Sequence, residues 1–132
     1  MKLATLLLII AATACAPRAG GGGQPLARSC PPKGGRPDGT GAFAFDSTEV
    51  DHDAQAELTF AILQNPGRPG YAIARFVIDT NGRADARTLT IEPGADSAIG
   101  AVVLAYVPKA RFQPAVLQGC HVRVWARWPF TF

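Results

Sequence analysis

Few side chains in this chain are of the kinds that do chemistry, and they are scattered. The densest cluster is Asp51-His52-Asp53. Two carboxylates flanking an imidazole are the right groups to move a proton or hold a cation. Adjacent residues point in different directions, however, and do not converge without a special turn. No Ser or Cys nucleophile with an activating base stands beside them. A hydrolase built on Asp51 and His52 is therefore the last of three functional readings, and no enzymatic activity is expected. The other histidine, His121, reads as a surface residue. The cysteines Cys15, Cys30 and Cys120 and the two distant histidines show no metal-ligand spacing, so neither a metal nor a cofactor is expected. The run Gly20 to Gly23 lacks the Lys-Ser/Thr and flanking strand of a phosphate loop and reads as linker.

The cysteines point instead to an address and a staple. Lys2 is followed by an apolar stretch, Leu3 to Ala14, broken only by Thr5 and Thr13. That is the pattern of a secretory signal, residues 1–14. It is shorter than the roughly 20 apolar residues that span a bilayer. Ala12-Thr13-Ala14-Cys15 looks like a bacterial lipobox, with Ala12 where leucine is usual; cleavage would leave Cys15 to carry lipid. An ordinary cleaved signal with an incidental cysteine is the alternative. Ala16, rather than Asp, follows the cysteine, which by resemblance favours the outer over the inner membrane. With Cys15 lipidated, Cys30 and Cys120 form an even pair in an oxidising compartment, where a disulfide is expected. It would stabilise the fold by up to about 4–5 kcal/mol in the loop-entropy account. Two free thiols, or a buried Cys120 acting as a small hydrophobe, are the alternatives.

The elements that must position these groups are legible from periodicity. Residues 15–41 read as a lipid-anchored tether: from residue 16 onward, 13 of the 26 residues are Gly or Pro. Residues 42–132 read as one domain. Residues 42–50 suggest a short strand or a docking arm. Ala54 to Gln64, with Leu58, Ile62 and Leu63 at helical spacing and Asp53 as N-cap, predicts a first helix ending at Pro66-Gly67. Tyr71 to Asp79 alternates as a strand, and Asp79-Thr80-Asn81-Gly82 turns it back into a second strand, about 84–92. Ile99, Val102, Val103, Tyr106 and Val107 form one stripe of a second helix, capped by Asp96 or Ser97 and broken at Pro108. His121 to Trp128 predicts a third strand.

Helix, hairpin, helix, strand is an α+β order. The crossover requires the second and third strands to run parallel, with the first between them. The expected fold is a three-stranded mixed sheet of order 2-1-3 with both helices on one face. The third strand is then an edge with unpaired N–H and C=O groups. His121, Arg123, Trp125 and Arg127 share its outer face, and Trp and Arg are frequent binding hot spots. Packing of Trp125 on a loop or on the 42–50 arm, which could itself cover the edge, is the alternative.

Arg75-Phe76-Val77-Ile78-Asp79-Thr80-Asn81-Gly82-Arg83 resembles the hairpin of TonB C-terminal domains, and Arg111-Phe112-Gln113-Pro114-Ala115 resembles their RFxPA segment. Gly67, Gly70, Gly119, Val122 and the ending Pro129-Phe130-Thr131-Phe132 complete the pattern. The resemblance spans about residues 49–132. It departs from the family at Thr59-Phe60, where Tyr-Pro is usual, and at Cys120. It implies the fold and a mode of recognition: an extended peptide from an outer-membrane transporter adds as a strand to the sheet edge. No Pro-Lys or Pro-Glu rod is present, so energy transduction is not implied.

The formal charge is +3, falling to +2 (twelve basic against ten acidic groups) once Lys2 is removed. That is too mild for nucleic acid as the main partner. The first reading is thus a periplasm-facing lipoprotein, held to the membrane by its anchor, that binds an envelope protein by strand addition. The second is a structural envelope protein whose edge pairs with itself, giving a homodimer.

Overall fold

The computed structural model describes residues 30–57, 67 and 69–132. The predicted signal, Cys15 and the tether up to residue 29 lie outside them, as do residues 58–64 of the predicted first helix.

The centre of the domain is a three-stranded sheet. Strand β4 (Tyr71–Ile78) lies between β5 (Ala84–Ile91) and β9 (Val124–Thr131), both antiparallel to it. The two outer strands therefore share a direction, as a crossover through a helix requires. Five of the eight residues of β4 are buried. Ala72, Ala74, Phe76 and Ile78 point to one face and are inaccessible to solvent. Small and large apolar side chains at alternate positions leave room for a helix to lie on them.

That helix is α1 (Ser97–Tyr106). The Asp96 carboxylate accepts the backbone N–H groups of Ala98 (2.9 Å) and Ile99 (3.3 Å), satisfying two of the donors that a helix start leaves free. Ile99 and Val103, and Val107 just beyond the helix end, are wholly buried in the same core as Phe76. Pro108 tightens the exit into a 3-10 turn, Val107–Lys109.

Two-stranded ladders surround the sheet. Arg36–Pro37 (β1) pairs with Phe43–Ala44 (β2), Gln55–Ala56 (β3) with Phe112–Gln113 (β6), and Ala115–Leu117 (β7) with Cys120–Val122 (β8). Cys30 and Cys120 are disulfide-bonded, with Cα atoms 5.7 Å apart, so residues 30–41 are not tether. They form β1, bury Asp38 and belong to the domain, which begins at Cys30 rather than at residue 42.

The expected first helix is corrected in its opening turn. Residues 55–57 are extended and hydrogen-bond to 111–113, including Glu57 N–H to the Arg111 carbonyl at 3.0 Å. Asp53 accepts the N–H of the next residue, Ala54, at 2.7 Å. Pairing with a distant segment overrides local helical spacing here. Among the described residues one helix, α1, covers the Ala72/Phe76 face.

The 79–83 turn joins β4 to β5 as expected. The Asp79 carboxylate accepts the N–H groups of Asn81 (2.8 Å) and Arg83 (2.9 Å). Only Gly82 takes positive φ, +73°. The result is a type I turn with a glycine bulge. The Gly82 carbonyl accepts the Phe112 N–H at 2.9 Å. A Cβ on Gly82 would lie 1.9 Å from the Phe112 carbonyl oxygen. Gly82→Ala is therefore expected to cost about 3 kcal/mol through strain and collision together. Chemical denaturation checks this, and a loss below about 0.5 kcal/mol would show that the turn does not dock on β6.

Candidate partner-binding edge

The outer edge of β9 follows from its pairing. Gly70 and Phe132 exchange both backbone hydrogen bonds, at 3.3 and 3.0 Å. The two-residue repeat then directs the N–H and C=O groups of Phe130, Trp128, Ala126 and Val124 towards β4. Those of Trp125, Arg127, Pro129 and Thr131 point outward, and their side chains lie on the face away from α1.

Part of that edge is closed from within the chain. Phe45, directly after β2, lies parallel to Val124. Its N–H donates to the Arg123 carbonyl (2.9 Å), and its carbonyl accepts the Trp125 N–H (2.8 Å). Beyond this point no described residue hydrogen-bonds to the Arg127 N–H or C=O, or to the outward groups of Thr131. Pro129 brings no N–H, a common feature of edge strands. The open run is Arg127 to Thr131, shorter than sequence periodicity implied.

Two predicted edge residues are corrected. His121 is exposed but lies on β8, paired with Val116 inside the β7–β8 hairpin. Arg123 falls between β8 and β9, beneath the arm. Its guanidinium bonds Asp38 through Nη2 at 2.5 Å and Nε at 3.1 Å, and Asp85 at 2.9 Å. Arg123 thus clamps the arm to the sheet and does not face a partner. The turn at Gln118-Gly119, both with positive φ, folds 115–122 into a hairpin, and a break at Arg123 separates β8 from the new strand β9. The alternation of side chains runs through that break, so periodicity alone did not reveal it.

The clamp is electrostatically strong. Burial would raise the Asp38 pKa, but the side-chain and backbone hydrogen bonds from Thr40, together with Arg123, outweigh it and hold the group at about 2, against an ordinary 3.8. Hydrogen bonds from Arg87 and then Arg123 hold the Asp85 carboxyl below its ordinary range against the opposing effect of burial.

Asp51, His52 and Asp53 serve structure. The Asp51 carboxylate accepts the Gln118 N–H at 2.6 Å, and the His52 backbone bridges Val116. Among the described residues no three metal-binding side chains converge.

A groove of about 470 Å³ runs along the open edge. Arg36, Asp46 and Asp53 line its arm side, and Arg75, Trp125 and Arg127 its sheet side. Arg36 pairs with Asp46 at 2.5 Å. Arg127 grips Glu92 with two bonds of 2.8 Å, which lower the Glu92 pKa. The Arg36 and Arg75 guanidiniums lie over the Trp125 ring, 5.6 and 5.0 Å from its centroid. The Trp125 Nε1–H is enclosed and has no acceptor among the described residues. Arg75 was not singled out from the sequence as a site residue. Its place in the alternation of β4, on the face of Tyr71 and Val77, was the available sign. Comparison with family models and with curated proteins finds no match.

Because Asp38 is depressed in the folded state, its contribution is complete above pH 4 and disappears as pH falls towards 2. Denaturant titrations should show stability falling by about 2 kcal/mol over that window on this account. In Asp38→Asn the fall should shrink, while stability at pH 7 also drops. An unchanged acid limb in the variant would show that Asp38 does not carry it.

Proposed function

We propose that this chain is a non-catalytic, periplasm-facing binding module of the TonB C-terminal type that takes an extended peptide onto β9. The reading is supported by the 2-1-3 strand order, with the family-like hairpin at its centre. One observation carries it: beyond Trp125, the backbone groups of Arg127 and Thr131 line an open groove without a described partner. A strand laid there gains main-chain hydrogen bonds, and its alternate side chains meet Trp125 and Arg127. Cys15 supplies the lipid anchor, the outer membrane is the favoured address, and a transporter segment is the favoured partner. Self-pairing of two copies through the same edge is the weaker reading. Two prolines would meet near the middle of such a ladder, each removing a donor.

The test separates backbone from side chain. The Arg127 N–H points away from β4, so proline at 127 deletes a donor for the ligand and none for the sheet. Pro129 occupies the equivalent outward position two residues on. With a photocrosslinker at Thr131 in cells, Arg127→Pro is expected to reduce capture of an extended partner segment at least tenfold, and Arg127→Ala by less than threefold. Equal capture by both variants rules out strand addition. Separately, Cys15→Ser is expected to move the protein from the membrane to the soluble fraction, and retention on the membrane would exclude the lipid anchor.

A further inference from the structure

The chemistry of the groove says more about its occupant than an open edge does. Three arginines line it. Arg36 is held by Asp46, and Arg127 by Glu92. Arg75 is exposed and forms no ion pair with any described residue. Its guanidinium lies over the Trp125 ring, on the floor that a bound strand would cross. Two guanidiniums share that ring; Asp46 pairs with Arg36, and Glu92 lies near enough to Arg75 to feel its charge without forming an ion pair with it. Beside them the Trp125 indole N–H is enclosed, with no acceptor among the described residues. This corner of the groove presents one exposed guanidinium, that of Arg75, not engaged in an ion pair with any described residue. On the arm side Asp53 lines the wall, without an ion pair to any described residue.

We propose that the occupant is an acidic extended peptide, with an internal Asp or Glu side chain seated on Arg75 beside Trp125. This rests on the strand-addition reading and adds the chemistry of the ligand. An internal side chain is specified, rather than a C-terminal carboxylate, because the open run continues from Arg127 to Thr131, so the bound segment extends past this point. A planar carboxylate matches the fork of a guanidinium. The ligand strand also covers the pair from solvent, which strengthens it relative to an exposed ion pair.

The experiment uses the full-length protein and a panel of short, soluble peptides of alternating Thr and Val. The peptides are acetylated and amidated at their ends and differ only in a central Glu, Gln or Lys. Calorimetry at low salt is expected to rank them Glu, Gln, Lys, with Glu about fivefold tighter than Gln and the difference shrinking as salt rises. Arg75→Gln should bring Glu and Gln within twofold of each other, with the Gln peptide still bound. That residual binding shows that the fold and the edge survive the substitution. Equal binding of Glu and Gln to the unmodified protein overturns the acidic-ligand proposal and leaves strand addition standing. If no peptide binds, or if Arg127→Pro fails to weaken those that do, strand addition itself falls and this proposal falls with it.

Discussion

Eight antiparallel residue pairs join β4 to β9, from Tyr71–Thr131 to Ile78–Val124, and the rest of the molecule is arranged around that ladder. Its register decides two things at once. Phe130 and Val124 turn into the core with Phe76 and Ile78, and the backbone groups of Arg127 and Thr131 turn outward. A slip of one residue would exchange the two sets, exposing the core positions and burying the arginine. The core packing of α1 and the open edge are therefore consequences of a single register.

The two edges of the sheet are not equivalent. On β5 the register against β4 shifts between Arg75 and Val77, and the Val77 N–H donates to the Thr88 hydroxyl at 2.8 Å rather than to a backbone carbonyl. Such an irregularity bends a strand away from further pairing. On β9 the ladder is regular, and protection comes from other devices. Phe45 covers the start, and Pro129 thins the donors further along. What remains open is a short window.

The arm from Cys30 to Phe45 sets where that window begins. It is fixed at one end by the disulfide to Cys120, in its middle by Asp38 under Arg123, and at its far end by the two Phe45 hydrogen bonds. Arg36, on β1, reaches over Trp125. A segment rich in glycine and proline would ordinarily cost too much entropy to order. Here a covalent link and a buried ion cluster offset that cost, and composition does not reveal either of them.

The central hairpin, α1 with its Asp96 cap and Pro108 stop, the 2-1-3 order and the Cys30–Cys120 pair were all legible in the sequence. Each depends on local alternation, on backbone restrictions of Gly and Pro, or on the even number of cysteines left to pair once Cys15 is set aside. The tertiary structure alone decided that residues 55–57 are extended, that Arg123 is a clamp, that His121 belongs to another hairpin, and that Arg75 joins Trp125 in the groove. Those outcomes depend on which distant backbone or carboxylate lies opposite: 111–113 for β3, Asp38 and Asp85 for Arg123, β9 for Arg75. A one-dimensional pattern records which way a side chain faces along its own strand, but not what it meets across the sheet.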